Sequence, residues 1–204
     1  ENYTAFLREQ NILTGEIEAA CKQVIMKEIN DGLEIASAEP AIKSSVSKEL
    51  SDVFQDFIYK EVKENDNREN IRLIDAISEG LKQSMQRHDN LILMGQDIAE
   101  YGGVFKVTDG FFEEFGEARV RNTPICESAI VSAAMGLSIN GYKTMMEMQF
   151  SDFATSGFNP IVNLLAKSNY RWNQKADVVI RMPCGAGVGA GPFHSQTNEA
   201  WFTH

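Results

Sequence analysis

Beyond residue 70, short apolar runs alternate with segments of helical character. Leu91–Met94 ends at Gly95, while Lys143–Gln149 and Val178–Met182 are two further runs of strand length. Short apolar runs bounded by turn residues are typical of strands buried on both faces, and their alternation with helices is typical of a parallel sheet. We therefore predict an α/β fold in which helices cover both faces of a parallel sheet.

The segments between these runs are predicted to be helices. Asn70 can cap the first of them, and a short helix rich in phenylalanine follows the glycine-rich turn at Tyr101. Thr123-Pro124 is predicted to open a helix of small residues, ESAIVSAAMGLSING, because proline fits the first turn of a helix. Residues 152–172 are predicted to form one further helix.

The preceding part of the chain has helical segments without strands. Thr14 can cap a helix that runs to about Ala38. A second helix begins after Ser47 and carries apolar residues at helical spacing: Leu50, Val53, Phe54, Phe57 and Ile58. This part is therefore predicted to be an all-helical segment that precedes the α/β fold.

Residues 60–70, KEVKENDNREN, carry almost only charged and amide side chains. Such a run cannot bury itself, so it indicates a linker or a solvated helix end. We place the helical segment at 1–59, the linker at 60–70 and the α/β domain at 71–204.

Charge and cysteine content exclude several classes of protein. The chain has 19 basic and 29 acidic side chains, a net charge of −10, and no basic cluster, so it would repel the phosphates of nucleic acids. Its uncharged stretches are too short or too rich in glycine for a membrane span. The three cysteines are widely spaced and odd in number, which fits neither a disulfide framework nor a zinc site. We therefore predict no nucleic acid or membrane partner and a reducing, cytoplasmic compartment.

The sequence CGAGVGAGPFHSQ follows the last apolar run and formally matches the glycine pattern of a dinucleotide-binding loop. That loop requires a helix to start at the glycines, and here Gly189, Gly191 and Pro192 interrupt any helix start. The preferred interpretation is a loop at the carboxyl end of a strand, where ligands of parallel sheets bind. The residues at its exit, His194 to Gln196, are therefore better candidates for chemistry than its glycines.

Residues 71–204 contain four sequence blocks of a known family in the family's order: LMGQDIAEYGGVFKVTDGFFEEFG, RVRNTPICESAIVSAAMG, MEMQFSDF and GPFHSQTNEAWFTH. Through these blocks, the region resembles the amino-terminal domain of the β subunit of 2-oxo acid dehydrogenase decarboxylating components. These are thiamine-diphosphate enzymes that oxidise pyruvate or branched-chain 2-oxo acids. Residues 1–59 resemble the carboxyl-terminal helices of the α subunit. The chain thus resembles an internal piece of a fused α–β polypeptide, incomplete at the carboxyl end of its pyrimidine-side domain.

The resemblance implies roles for five residues. Glu127 is implied to hydrogen-bond the aminopyrimidine of thiamine diphosphate and to favour the tautomer that takes the thiazolium proton. Gln149 and Phe153 are implied to line the aminopyrimidine pocket, and His194 to lie near the substrate and the incoming lipoyl group. Gln96 stands where the family usually has glutamate; it is expected to contact the pocket, although an amide cannot exchange a carboxyl proton.

Each of these residue types also has a purely structural interpretation. A glutamate at a helix start improves capping, and a phenylalanine more often packs in a core than against a cofactor. A lone histidine is more often structural, and Glu147 could either extend a chain of acidic groups or be a paired charge at a strand end. Asn122 departs from the family, which usually has aspartate before TPI.

The resemblance also implies a cofactor and partners. Thiamine diphosphate with magnesium is expected in the parent enzyme. The family holds the diphosphate and magnesium through a GDG…N motif of the α part, which this sequence does not contain, so no metal ligands are assigned to it. The implied partners are the remaining α and β domains, in a homodimer or heterotetramer-like assembly, and the lipoyl acyltransferase core.

The function implied is decarboxylation of a 2-oxo acid with transfer of the acyl group to lipoyl. Gln149 favours a branched-chain substrate, 2-oxoisovalerate, over pyruvate. A transketolase-like reaction is the alternative within thiamine enzymes, and the α-like tail argues against it. A non-catalytic assembly module is the alternative for the isolated chain, because half of a cofactor site binds weakly.

Overall fold

The computed structural model describes residues 2–54, 56–61, 63, 66 and 68–203. They fall into two compact units that divide between Ser45 and Val46. The boundaries predicted from the sequence are 1–59, 60–70 and 71–204. They mark where the sequence resembles the α subunit and where it resembles the β subunit. A division into compact units does not test this resemblance, so these boundaries stay predictions. Four residues of the predicted linker (62, 64, 65 and 67) lie outside the described residues.

The first unit contains two helices, α1 (Asn2–Glu9) and α2 (Gly15–Ala38). Thr14 caps α2, since its hydroxyl accepts a hydrogen bond from the backbone N–H of Ile17 at 3.2 Å. The sequence prediction for this helix is therefore confirmed. Arg8 of α1 donates to the carboxylate of Glu18 in α2 at 2.6 Å, which joins the two helices.

The second unit is built around a sheet of four parallel strands in the order β2-β1-β3-β4. Its elements are α3 (Val46–Val53), α4 (Leu73–Arg87), β1 (Leu91–Gly95), α5 (Phe111–Phe115), β2 (Val120–Asn122), α6 (Glu127–Ile139), β3 (Lys143–Glu147), α7 (Ala154–Asn159), a π-helical turn (Pro160–Leu165), α8 (Ser168–Trp172) and β4 (Val178–Arg181). Four 3₁₀ turns complete them: Ser151–Phe153, Ala186–Val188, Gly191–Phe193 and Glu199–Phe202.

Two apolar clusters lie on opposite faces of this sheet. Leu93 of β1 packs with Met85 of α4 on one face, together with residues of α5. The next residue of β1, Met94, packs on the other face with Val131 of α6 and with residues of α7. Successive side chains of a strand point to opposite faces, so the continuous apolar run of β1 supplies both clusters. This arrangement confirms the predicted α/β fold with a parallel sheet covered by helices.

Helix boundaries differ from the sequence predictions at several points. The predicted apolar helix face after Ser47 is wrong beyond Val53, because α3 ends there and Phe54 and Phe57 are exposed. A short helix is stable only when its apolar face packs against other residues. Because Phe54 and Phe57 bury little surface, they do not extend α3 beyond Val53. Asn70 does not cap α4, which begins at Leu73 after Arg72.

The helix predicted to open at Thr123-Pro124 begins at Glu127, because Cys126 has a non-helical backbone. The single helix predicted over 152–172 is also wrong. Pro160 has no N–H for the helical ladder, and the chain continues from there as a π-helical turn in which the N–H of Ala166 donates to the carbonyl of Ile161 at 2.9 Å.

The carboxyl ends of β1 and β3 approach each other closely at Gly95. A Cβ atom on Gly95 would lie 2.8 Å from the carbonyl oxygen of Glu147, so only glycine permits this approach. The following loop returns on itself at Gly102, where φ is +75° and a Cβ would lie 2.7 Å from Asp109. These glycines set the shape of the sheet edge where the candidate site lies.

Among the described residues, no helix combines the length and the apolar character that crossing a membrane requires.

Candidate functional site

The candidate site lies at the carboxyl edge of the sheet. Gln96 directly follows β1, Glu127 is the first residue of α6 after β2, and Gln149 follows β3. The carboxyl ends of neighbouring parallel strands meet at one edge, which brings together residues distant in sequence.

Gln96 and Glu127 form a buried polar pair at this edge. The side-chain amide of Gln96 donates from Nε2 to Oε1 of Glu127 at 3.2 Å. The two residues are only 6% and 8% exposed, and Glu127 lies at the positive end of the 13-residue helix α6. A buried carboxyl group oriented by an amide can hold or accept a proton at one defined place.

Gln149 is oriented by a residue that the sequence interpretation missed. Its Nε2 donates to Oδ2 of Asp97 at 3.1 Å. Asp97 has a left-handed backbone (φ 57°), and its carbonyl accepts a hydrogen bond from the N–H of Gly103 at 2.8 Å. The combination of an acidic residue and a glycine-rich turn directly after a strand was the available signal.

Phe153 and His194 meet in an aromatic cluster. The ring of His194 packs edge-on against Phe150 at 5.0 Å and against Phe153 at 5.3 Å between ring centres. Phe150 also packs edge-on against Phe153 at 5.9 Å and against Phe105 at 5.8 Å. The cluster keeps the half-buried imidazole in a mostly apolar setting at the sheet edge.

The five predicted site residues thus form contacts in separate groups. Gln96 contacts Glu127, Gln149 contacts Asp97, and Phe153 contacts His194. All of them lie in the turns and helix starts that follow the carboxyl ends of the strands. Their roles toward a cofactor stay predictions.

Glu147 at the end of β3 is a paired charge. Its carboxylate is 3% exposed, and Oε2 lies 2.5 Å from Nη1 of Arg181 at the end of β4. The contact is therefore an ion pair between two largely buried side chains. Burial raises the pKa of Glu147 above its usual range, and the guanidinium of Arg181 only partly opposes the rise. Sequence interpretation missed Arg181, because nothing local links it to Glu147.

Asn122 anchors the loop after β1. Its Oδ1 accepts a hydrogen bond from the N–H of Ala99 at 2.9 Å, and its Nδ2 donates to Glu100 at 2.7 Å. An amide can both accept and donate in this way, whereas the aspartate usual in the family could only accept.

The donor set at this edge suits an organic ring better than a metal ion. Amides and carboxylates supply hydrogen-bond donors and acceptors, and the phenylalanine rings supply an apolar surface. Within the part of the chain that the structure describes, no group of three or more His, Cys, Asp or Glu residues could hold a metal ion.

Comparison with known proteins places residues 69–204 in one family, described as the pyrimidine binding domain of transketolase. The chain is 41% identical over 133 residues to the 2-oxoisovalerate dehydrogenase subunit beta of Bacillus subtilis, covering 64% of the chain and 41% of that protein. It is 38% identical over 138 residues to the pyruvate dehydrogenase E1 component subunit beta of Leifsonia xyli, covering 67% and 41%. It is 34% identical over 142 residues to the 3-methyl-2-oxobutanoate dehydrogenase subunit beta of Mycobacterium tuberculosis, covering 69% and 41%.

The chain thus spans about two fifths of the length of these relatives. The family match covers well over half of the chain and includes all four sequence blocks at the sheet edge. Together with the matched β subunits, it confirms the resemblance to the decarboxylating components that the blocks indicated. The chain therefore belongs to the family of transketolase-type pyrimidine-binding domains, as a relative of the β subunits of thiamine-diphosphate-dependent 2-oxo acid dehydrogenases.

Proposed function

We propose that the chain supplies the pyrimidine-side half of a thiamine diphosphate site in an enzyme that decarboxylates a 2-oxo acid and transfers the acyl group to lipoyl. The observation that carries the proposal is the buried Gln96–Glu127 pair at the carboxyl edge of the sheet. A buried carboxyl group at a ligand-binding edge, within this family, suits proton exchange with a ring nitrogen.

The residues present fit the aminopyrimidine of that cofactor. When bound, thiamine diphosphate supplies the carbon nucleophile that adds to the 2-oxo group. Glu127 holds the proton exchanged with the aminopyrimidine, and Gln96 orients its carboxyl group through Oε1. Gln149, fixed by Asp97, offers an amide to the ring, and Phe153 offers an apolar surface.

His194 acts in the later transfer step. The lipoyl disulfide is the electron acceptor of that step: its S–S bond breaks, one sulfur takes the acyl group, and the other leaves as a thiolate that must gain a proton. An imidazole side chain, the usual proton donor and acceptor of proteins near neutral pH, suits that proton transfer. Packing of the ring against Phe150 and Phe153 limits its orientation. Its place in the loop after β4, at the same sheet edge as Gln149, supports this role.

The diphosphate and magnesium are held elsewhere in the enzyme, by an α-type region. Residues 1–59 represent the end of such a region, so the parent protein joins α-like and β-like parts. Its partners are the remaining α and β domains, in a homodimer or heterotetramer-like assembly, and a lipoyl acyltransferase core. The proposed compartment is the cytoplasm.

The favoured substrate is the branched-chain 2-oxo acid 3-methyl-2-oxobutanoate (2-oxoisovalerate). Relatives named for branched-chain substrates and for pyruvate match over similar stretches, and Gln149 favours the former. The test is decarboxylation by the enzyme that contains this chain, loaded with thiamine diphosphate and magnesium, with each acid in turn and a lipoyl domain as acceptor. We expect a higher kcat/KM for the branched-chain acid, and activity with neither acid refutes the proposed function.

A transketolase-type reaction is the second candidate, since the family description itself names transketolase. Carbon transfer between sugar phosphates by the same loaded enzyme, without 2-oxo acid decarboxylation, would establish it. The third candidate is that this chain is a non-catalytic assembly module, and calorimetry distinguishes it from a cofactor-binding domain. Tight, magnesium-dependent binding of thiamine diphosphate by this chain alone excludes a purely structural role.

A further inference from the structure

The loop that carries His194 contains little regular structure of its own. Between β4 and residue 203 it forms only three short 3₁₀ turns among the described residues, and most of its positions are exposed. A side chain on such a loop keeps a defined position only if other elements hold the loop.

One turn of four consecutive residues, Phe150–Phe153, holds this loop. The rings of its two outer residues, Phe150 and Phe153, lie nearly perpendicular to the ring of His194, at 5.0 and 5.3 Å between ring centres. Its two inner residues, Ser151 and Asp152, make hydrogen bonds to the loop on both sides of the histidine. The turn therefore contacts both the imidazole and the backbone that carries it.

The hydrogen bonds of the inner residues are buried and partly reciprocal. Ser151 donates from Oγ to Oδ1 of Asn198 at 2.6 Å, and Asn198 donates from Nδ2 to the carbonyl of Ser151 at 3.0 Å. Ser151 and Asn198 are both 5% exposed. The N–H of Ser151 also donates to the carbonyl of Pro183 at 2.8 Å, at the start of the loop.

Asp152 adds a contact close to the histidine. Its Oδ1 accepts a hydrogen bond from the backbone N–H of Gln196 at 3.2 Å, two residues beyond His194, and the residue is 7% exposed. Loss of a buried partner leaves the other polar group unsatisfied, so the bonded arrangement is strongly preferred over a loosened one.

We infer that Ser151, Asp152 and Asn198 are positioning residues that fix the imidazole of His194 against Phe150 and Phe153. All of these contacts lie within this chain, and only the consequence of the positioning for acyl transfer rests on the function proposed above. None of the three needs to touch substrate, since each acts through the loop.

Proton NMR of the histidine rings in the full chain tests the inference without any cofactor. The chain has three histidines, so the His194 signals can be assigned by substituting the other two. Two aromatic rings packed nearly perpendicular to His194 should displace its ring-proton shifts from those of a mobile histidine. We expect Asn198→Ala and Asp152→Ala to lose most of that displacement. Asp152→Asn should retain it, because the amide keeps an acceptor for the N–H of Gln196.

Thr144→Val is the matched control. Thr144 is also buried and donates to the carbonyl of Ala134 at 3.2 Å, but it lies on β3 within the sheet. It should lower stability without moving the His194 signals. The amide spectrum reports whether the two alanine variants are folded. If both are folded and their His194 shifts are unchanged, the inference is overturned. An equal loss of that displacement in Thr144→Val also overturns the inference.

Activity of the parent enzyme separates this inference from the proposed function. Asn198→Ala should lower kcat for lipoyl acyl transfer by about tenfold or more, with a smaller effect on decarboxylation measured with an artificial electron acceptor. Lost NMR displacement with unchanged acyl transfer upholds the positioning of His194 and refutes its proposed catalytic role.

Discussion

The Glu147–Arg181 pair offers the most informative perturbation of the sheet edge. The carboxylate of Glu147 is 3% exposed and lies 2.5 Å from the guanidinium of Arg181, so Arg181→Met leaves a buried negative charge without its partner. Removal of one member of a buried ion pair costs about 3–5 kcal/mol of unfolding free energy. We expect a loss in this range near neutral pH, towards its lower end because the Arg181 side chain is 17% exposed.

The loss should depend on pH with a defined sign. Burial already raises the pKa of Glu147, and removal of Arg181 removes the cause that opposes the rise. A carboxyl group whose pKa is higher in the folded state binds more protons there, so stability falls as pH increases between the unfolded and folded pKa values. Arg181→Met should therefore be least destabilising in acid, where Glu147 is protonated, and most destabilising above its folded pKa.

Urea unfolding followed by tryptophan fluorescence measures this effect. Trp172 and Trp201 both lie in the second unit, so the signal reports on the unit that contains the pair. The double variant Glu147→Gln/Arg181→Met is the matched control and should regain much of the lost stability, because the uncompensated charge is gone.

Two results would refute this reasoning. Equal stability of Arg181→Met and wild type at every pH shows that the pair contributes nothing. A pH-independent loss that Glu147→Gln does not rescue shows that Arg181 acts through packing of its apolar stem instead of its charge.

Three further predictions concern the same edge of the sheet. Gln96→Glu places a second buried carboxyl group at the position of an amide that lies 3.2 Å from Glu127. Urea unfolding should show a loss of about 1–3 kcal/mol of stability near neutral pH and a smaller loss in acid, because protonation removes the repulsion. A loss that does not depend on pH contradicts this explanation. Gly95→Ala puts a Cβ 2.8 Å from the carbonyl of Glu147 and should cost about 1–3 kcal/mol in the same assay, whereas an unchanged midpoint shows that the strands separate freely. Glu127→Gln should lower kcat of the parent enzyme by about 10²–10⁴-fold while exposed Glu79→Gln does not, and full activity of the Glu127 variant removes its proposed role.

Local sequence signals predicted most of the regular elements. The apolar run that ends at Gly95 predicted β1, and Thr14 predicted the start of α2. Such signals failed where the outcome depended on distant residues. The strand β2 has only three residues and exists through its pairing with β1, and α3 stops at Val53 because the apolar residues beyond it bury little surface.

Sequence motifs also identified most residues of the candidate site without revealing their partners. Gln96, Glu127 and His194 stand in recognisable blocks. The blocks did not indicate that Asp97 orients Gln149 or that Arg181 neutralises Glu147. Arg181 carries no local signature, because any strand can end in arginine. The glycine-rich turn after β1 marks Asp97 but does not indicate its partner.

The sequence by itself determined the class of fold, the family and the residue types at the sheet edge, because hydrophobic period, turn residues and motif spacing are properties of neighbouring positions. Only the tertiary structure decided which of these residues meet. Gln96 and Glu127 are 31 positions apart, and Ser151 and Asn198 are 47 apart. The parallel sheet brings them together by aligning the carboxyl ends of its strands, and burial then makes each contact energetically significant.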